Sequence, residues 1–97
     1  MVEVQGFVQP GFESVRDAFA ANFATDFEVG ASVAVMHRGE MVVDIWGGHR
    51  EMERTSEWQS DTLVNVWSTT KTMMFLTLLT LADRGEISLN DPVYKYW

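Results

Sequence analysis

The chain has 97 residues, of which 46% are hydrophobic, 12% are aromatic and 22% are charged, with a net charge of −7 and no cysteine. This length supports one small domain with a modest core. The aromatic content excludes a disordered acidic tail. Disulfides, thiolate zinc sites and a cysteine nucleophile are excluded. With two histidines in the chain, we expect no metal ion and no cofactor.

The charge pattern and the apolar pattern also limit the partners. No basic stripe is present, so we expect no binding to nucleic acid or to an anionic membrane surface. The longest apolar stretch, residues 73–82, is too short to span a bilayer. Residues 1–6 lack the basic and apolar regions of a secretory signal, so a cytoplasmic protein is expected.

The first half of the chain predicts one helix and one hairpin. Residues 1–10 look irregular, and a helix is predicted over residues 11–25, with an aromatic and aliphatic face that needs a sheet to pack on. Residues 31–37 and 41–46 are apolar runs on either side of Arg38-Gly39-Glu40, which predicts a β-hairpin. The helix face consists of residues spaced three or four apart: Phe12, Val15, Phe19, Phe23 and Phe27.

The second half predicts a loop and a buried helix. Residues 49–61 are polar and are interpreted as a surface loop, and residues 62–67 as a short extended piece. A second helix is predicted from about Ser68 to Arg84, with Gly85 at the position just after its end. Its middle is apolar on nearly every side, which is typical of a buried helix. Because the other predicted elements cannot enclose it, we expect the rest of the fold in a companion chain, a cleaved partner or a further part of the gene product.

The segment Ser68-Thr69-Thr70-Lys71 has the spacing Ser-x-x-Lys, which places the two side chains on one face of a helix. A serine hydroxyl becomes a nucleophile when a neighbour takes its proton. A lysine in dry, apolar surroundings can lose its charge and act as that base, because burial disfavours the ammonium. The Ser68 N–H, at the helix start, could form one arm of an oxyanion hole.

A structural interpretation of the same residues stays open on these grounds alone. Ser68 could be a helix N-cap and Lys71 a solvated residue of the first turn, although a lysine there opposes the helix dipole. His37 and His49 have no partner arrangement that indicates catalysis, and we assign them structural or surface roles. Trp67 is interpreted as a packing residue that could touch substrate.

The stretch Val66-Trp67-Ser68-Thr69-Thr70-Lys71, with Trp58 to Leu63 before it, resembles the nucleophile region of the serine β-lactamase and penicillin-binding-protein superfamily. The likeness is closest to class C β-lactamase-like (family VIII) carboxylesterases. It extends in order through residues 11–15, the hairpin with its Asp44-Ile45-Trp46-Gly47-Gly48 end, residues 81–85 and residues 89–93.

The resemblance implies a β-lactamase-like fold of the α/β (α+β) class, of which residues 1–97 form the N-terminal segment: helix, antiparallel hairpin and nucleophile-bearing buried helix. It implies that Ser68 is acylated, that Lys71 is the general base and that the substrate is a small ester. A β-lactam or a D-alanyl peptide is the alternative substrate. The Tyr-x-Asn and final-strand motifs of the superfamily are absent, and Tyr94 and Tyr96 do not replace them, so the 97 residues alone are expected to be inactive.

A hypothesis from another class is a non-enzymatic interaction protein. In that interpretation the aromatic residues Tyr94, Tyr96 and Trp97 form a docking patch for a partner.

Overall fold

Three antiparallel strands and one helix form the first of two units in the computed structural model, which describes residues 1–25 and 27–97. The first unit, Met1–Leu63, contains β1 (Gln5–Val8), α1 (Glu13–Asn22), β2 (Gly30–His37) and β3 (Glu40–Gly48). The second unit, Val64–Trp97, contains a 3₁₀ turn at Trp67–Thr69, α2 (Thr70–Asp83) and another 3₁₀ turn at Val93–Lys95.

The predicted hairpin is confirmed, and its second strand lies at the centre of the sheet. The strand order is β1-β3-β2, and β2 pairs with β3 from Gly30↔Gly48 to His37↔Glu40. Arg38 and Gly39 between the strands both have positive φ, 52° and 83°. Two successive residues with positive φ fit the right-handed twist of a tight hairpin. The turn therefore follows from the Arg-Gly pair.

The prediction that residues 1–10 are irregular is wrong, because residues 5–8 form an edge strand. β1 pairs antiparallel with β3 from Gln5↔Trp46 to Val8↔Val43. The side chain of Arg16 on α1 ties this strand down by donating to the carbonyls of Val4 (3.0 Å) and Gly6 (3.2 Å). A four-residue strand that contains a glycine is too short to show an alternation of apolar and polar residues. Its pairing with β3, and not its own sequence pattern, makes it a strand.

The first helix is confirmed within the predicted range, and it packs on the sheet as its apolar face requires. Phe19 is buried together with Val42, Val43 and Ile45 of the central strand. The rings of Phe19 and Phe23 meet edge to face, 5.3 Å apart. The predicted face ends there, since Phe27 lies beyond the helix and is 98% exposed.

The segment 49–61 is only partly the surface loop that was predicted. Trp58 is 7% exposed, and its backbone N–H donates to the carbonyl of Gly48 at 2.9 Å. Gly30 makes room for the indole, since a Cβ atom there would lie 2.5 Å from Trp58 Cε3. Glu51 closes the loop by accepting hydrogen bonds from Thr55 and Ser56, and these bonds lower the pKa of the Glu51 carboxyl.

In the second unit, α2 ends where the sequence predicts. Gly85 has φ 73° and its N–H donates to the carbonyl of Ala82, while the Glu86 N–H donates to the carbonyl of Leu81, both at 3.0 Å. These two bonds are the Schellman arrangement, which needs a left-handed residue after the helix. The predicted extended piece before the helix is not a strand: residues 62–66 have no assigned secondary structure.

α2 is an apolar helix, as predicted, but the residues that the structure describes do not bury it. None of the residues of α2 is buried, and Met73, Phe75 and Leu79 are between 51% and 63% exposed. Thr77 and Thr80 donate to the carbonyls of Met73 (2.9 Å) and Leu76 (2.8 Å), so even these hydroxyls are satisfied within the helix. The apolar side chains of α2 are therefore left exposed to solvent by the residues that the structure describes.

No helix among residues 1–25 and 27–97 is long and apolar enough to cross a bilayer.

We expect Gly6→Ala to destabilise the first unit far more than Gly39→Ala. Both glycines have positive φ, but a Cβ at Gly6 would lie 2.0 Å from the Asp44 carbonyl oxygen, whereas nothing lies within 4 Å of one at Gly39. Backbone strain plus a clash with the central strand costs about 3 kcal/mol, against about 1 kcal/mol for strain alone. Urea unfolding followed by circular dichroism measures both, and equal losses would contradict this packing.

Candidate active site

The structure places Ser68 in the middle of the 3₁₀ turn that leads directly into α2, where Lys71 is the second residue. The Thr69 N–H donates to the carbonyl of Val66 at 3.1 Å, and the Thr70 N–H donates to the carbonyl of Trp67. The chain is therefore helical through the whole Ser-x-x-Lys segment. Side chains three positions apart on a helix have Cβ atoms about 5–6 Å from each other.

The surroundings of this pair differ from the dry pocket that was expected for Lys71. Ser68 and Lys71 are both exposed, and no hydrogen bond joins their side chains in the part of the chain that the structure describes. The same holds for the whole turn and for α2, in which no residue is buried. Ser68 and Lys71 thus lie in one helical segment, and both are open to solvent.

The backbone before Ser68 has an unusual conformation. Trp67 has φ 49°, in the left-handed region, and its side chain is 80% exposed. Its N–H donates to the Asn65 side-chain oxygen at 3.3 Å. The Ser68 N–H has no backbone acceptor within residues 1–25 and 27–97. Asn65 was missed by the sequence reasoning, although an asparagine two residues before a turn is a usable signal.

A second polar cluster lies at the far end of the same unit. The Tyr96 hydroxyl accepts from the Ser88 N–H (2.9 Å) and donates to Asp91 Oδ2 (2.6 Å). Lys95 Nζ donates to the same oxygen at 2.7 Å. The bonds from Lys95 and then Tyr96 lower the pKa of the Asp91 carboxyl. The Lys95 and Asp91 spacing of four residues is the only sequence signal for this cluster.

The remaining candidates are structural or exposed. The His37 ring lies 5.9 Å from that of Phe12, and His49 pairs its backbone with Glu57. Within the described ranges, no group of acidic, histidine or cysteine residues could hold a metal ion. Tyr94 is 82% exposed and Trp97 is 99% exposed, while the Tyr96 hydroxyl is engaged with Asp91.

The comparisons with known proteins bear on the Ser-x-x-Lys segment and on the whole fold. A family model described as Beta-lactamase matches residues 16–97. The chain belongs to the beta-lactamase family. The match covers the hairpin, the Ser68 turn and α2, so the resemblance drawn from the sequence is confirmed.

The relatives of this beta-lactamase family member include an enzyme with two activities in its name. The chain is 37% identical over 94 residues to the esterase/beta-lactamase LipL of Mycobacterium tuberculosis (strain ATCC 25618 / H37Rv), which covers 97% of the chain and 22% of LipL. It is 32% identical over 68 residues to an uncharacterized protein of Alkalihalophilus pseudofirmus, covering 69% of the chain and 20% of that protein.

A solved structure shows the same fold. The crystal structure of a family VIII carboxylesterase superposes with a TM-score of 0.92 at 50% identity, covering 98% of this chain and 26% of that one. The chain therefore spans about a fifth to a quarter of the length of its relatives. Its helices and three-stranded sheet correspond to the N-terminal portion of the β-lactamase-like fold.

We expect acid to weaken the second unit through Asp91. Its carboxyl has a pKa below the ordinary 3.8, so its bonds stabilise the folded state above about pH 3.8 and are lost as the pH falls through the lowered value. Asp91→Asn should make the free energy of unfolding less dependent on pH below 4. Urea unfolding at pH 7 and pH 3 measures this.

The matched control is Asp83→Asn, which removes an exposed carboxylate of the same unit. Asp83 makes no side-chain hydrogen bond to the residues that the structure describes. An equal change in pH dependence for the two variants would contradict the role of the cluster.

Proposed function

We propose that this chain carries the nucleophile and the base of a serine hydrolase that cleaves carboxylic esters through an acyl-enzyme. Ser68 is the nucleophile and Lys71 the general base. The observation that supports the proposal is that the segment from Ser68 to Lys71 is helical and leads into an apolar helix, since residues three apart on a helix lie on one face. The 50% identity to a family VIII carboxylesterase supports the ester as substrate.

The reaction follows from the order of the two side chains. As Ser68 Oγ attacks the ester carbonyl carbon, its proton moves to the neutral amine of Lys71, and the carbonyl oxygen becomes an oxyanion facing the Ser68 N–H. The bond to the alcohol then breaks, and the leaving oxygen takes the proton from Lys71. Water attacks the acyl carbon, the bond to Oγ breaks, the acid leaves and Oγ recovers a proton.

Activity requires residues beyond these 97. A protonated lysine cannot accept a proton, and the neutral form is favoured when the amine is removed from water. Lys71 is exposed in this chain, as is most of α2. We propose that the rest of the hydrolase fold, of which this chain spans about a quarter in the carboxylesterase, covers α2 and dries the site. Whether that portion is continuous with Trp97 or a companion chain, the 97 residues alone are expected to be inactive.

The first test is covalent labelling of the complete protein. A fluorophosphonate probe is expected to modify Ser68, as located by peptide mass spectrometry, and Ser68→Ala should remove the label. Lys71→Ala should slow labelling about 10²- to 10⁴-fold, the usual contribution of a general base. Lys71→Arg should be equally slow, because a guanidinium keeps the charge but cannot accept a proton.

Lys95→Ala is the matched control, since Lys95 is the other lysine of the chain and lies at the far end of its unit. It should label like the wild type. Modification of a different serine, or full labelling speed in Lys71→Ala, would overturn the proposal.

A second candidate function is hydrolysis of a β-lactam ring by the same two residues. The relative LipL, whose name includes both esterase and beta-lactamase, favours keeping it. An amide in a strained ring can acylate a serine as an ester does, so the pocket walls decide between the two. Those walls lie largely outside this chain.

We expect faster turnover of a short nitrophenyl ester than of a chromogenic cephalosporin. Both rates should vanish in Ser68→Ala, which serves as the control for background hydrolysis. Faster cephalosporin turnover would assign the protein to the β-lactamases of the family. The interaction-protein hypothesis gains only if neither compound acylates Ser68 and the native protein is a monodisperse species of 11.0 kDa.

A further inference from the structure

We infer that Asn65 is a positioning residue for Ser68: its side-chain amide holds Trp67 in the conformation that presents the nucleophile. The inference rests on the proposed function, because it assigns Asn65 a part in the same acylation step. It deepens that proposal by identifying what fixes the backbone ahead of the Ser-x-x-Lys segment.

The contact that carries the inference is the hydrogen bond from the Trp67 N–H to Asn65 Oδ1, at 3.3 Å. In this arrangement the asparagine oxygen takes the place that a backbone carbonyl has in an ordinary turn. Within the part of the chain that the structure describes, no other side chain bonds to the backbone of residues 66–71. Among the described residues, the Asn65 bond is therefore the one hydrogen bond between a side chain and the backbone of the turn that contains Ser68.

The hydrogen bond from Asn65 matters for this turn because Trp67 has φ 49°. A bulky residue is a rare occupant of the left-handed region, where its Cβ approaches the following carbonyl. The turn is closed on its other side by the Thr69 N–H, which donates to the Val66 carbonyl at 3.1 Å. Without the Asn65 bond, the Trp67 N–H loses its partner and the residue can relax to negative φ, which rotates Ser68 relative to Lys71.

The consequence falls on the rate of acylation. When only a fraction of the molecules has the competent turn, the rate scales with that fraction. The bond requires an oxygen at the position of Asn65 Oδ1 and not the amide nitrogen, so aspartate can replace asparagine whereas alanine cannot. Glycine at position 67 would adopt positive φ without the steric cost, so the turn would depend less on the hydrogen bond to Asn65.

The experiment measures the burst of nitrophenol released as Ser68 is acylated in the complete protein, with rates expressed per titrated active site. Asn65→Ala should slow the burst rate constant by about three- to tenfold, the effect of one hydrogen bond, while kcat falls less, because hydrolysis of the acyl-enzyme limits turnover when a burst is seen. Asn65→Asp should stay within about twofold of the wild type. Asn90→Ala, the same change at an exposed asparagine of the same unit, is the matched control and should not alter the burst.

The double variant separates positioning from a general effect on folding. In a Trp67→Gly background, Asn65→Ala should slow the burst by less than about twofold, because the strain that the bond offsets is gone. If Asn65→Ala does not fold, Asn65→Gln replaces it, since the longer side chain displaces the acceptor oxygen, and the same loss is expected.

Three results would overturn the inference: a wild-type burst per site in Asn65→Ala, failure of Asn65→Asp to retain the rate, or equal losses in the two backgrounds. Acylation that persists in Ser68→Ala would instead overturn the proposed function itself. Acylation that depends on Ser68 but not on Asn65 would remove only the inference made here.

Discussion

The apolar surface of α2 is the constraint on which the account of this molecule depends. A 14-residue helix with Met, Phe and Leu on every side cannot stay in water without a large unfavourable hydration free energy. In its middle, the hydroxyls of Thr77 and Thr80 donate to carbonyls of the same helix. The covering that this helix needs would also exclude water from its first turn, where Ser68 and Lys71 lie. Burial of the apolar helix and removal of water from Ser68 and Lys71 would thus both require further residues packed over α2.

The two units differ in how much of their apolar surface is buried. In the first unit the central strand has Val43 and Ile45 at 0% exposure beneath Phe19, so a small core is complete within residues 1–63. In the second unit the helix is well formed, with a Schellman end and a hydrogen-bonded cluster around Asp91, but its apolar side chains are uncovered. The chain spans about a fifth to a quarter of the length of the relatives that it matches.

The sequence predicted those features that depend on local chemistry. The spacing of the large apolar residues predicted α1, two apolar runs on either side of Arg38-Gly39-Glu40 predicted the hairpin, and Gly85 predicted the end of α2. It did not predict β1, which exists because β3 offers it hydrogen bonds, nor the burial of Trp58, which depends on the missing side chain of Gly30. The expected helical start at the Ser-x-x-Lys segment is present, with Ser68 in the 3₁₀ turn and Lys71 in α2. The left-handed conformation of Trp67 was not predicted, because a tryptophan gives no sign of positive φ, and Asn65 was the one available signal for the turn.

The central claim is that Lys71 acts on Ser68 from a dry site in the complete protein. A crystal structure of the complete protein tests this most directly, through the distance from Lys71 Nζ to Ser68 Oγ and the exposure of the amine. The account predicts a distance of about 2.6–3.2 Å, as a base needs, with the amine closed off from solvent by residues outside this chain. An amine that extends into solvent, beyond hydrogen-bond reach of Oγ and with α2 still uncovered, would contradict it.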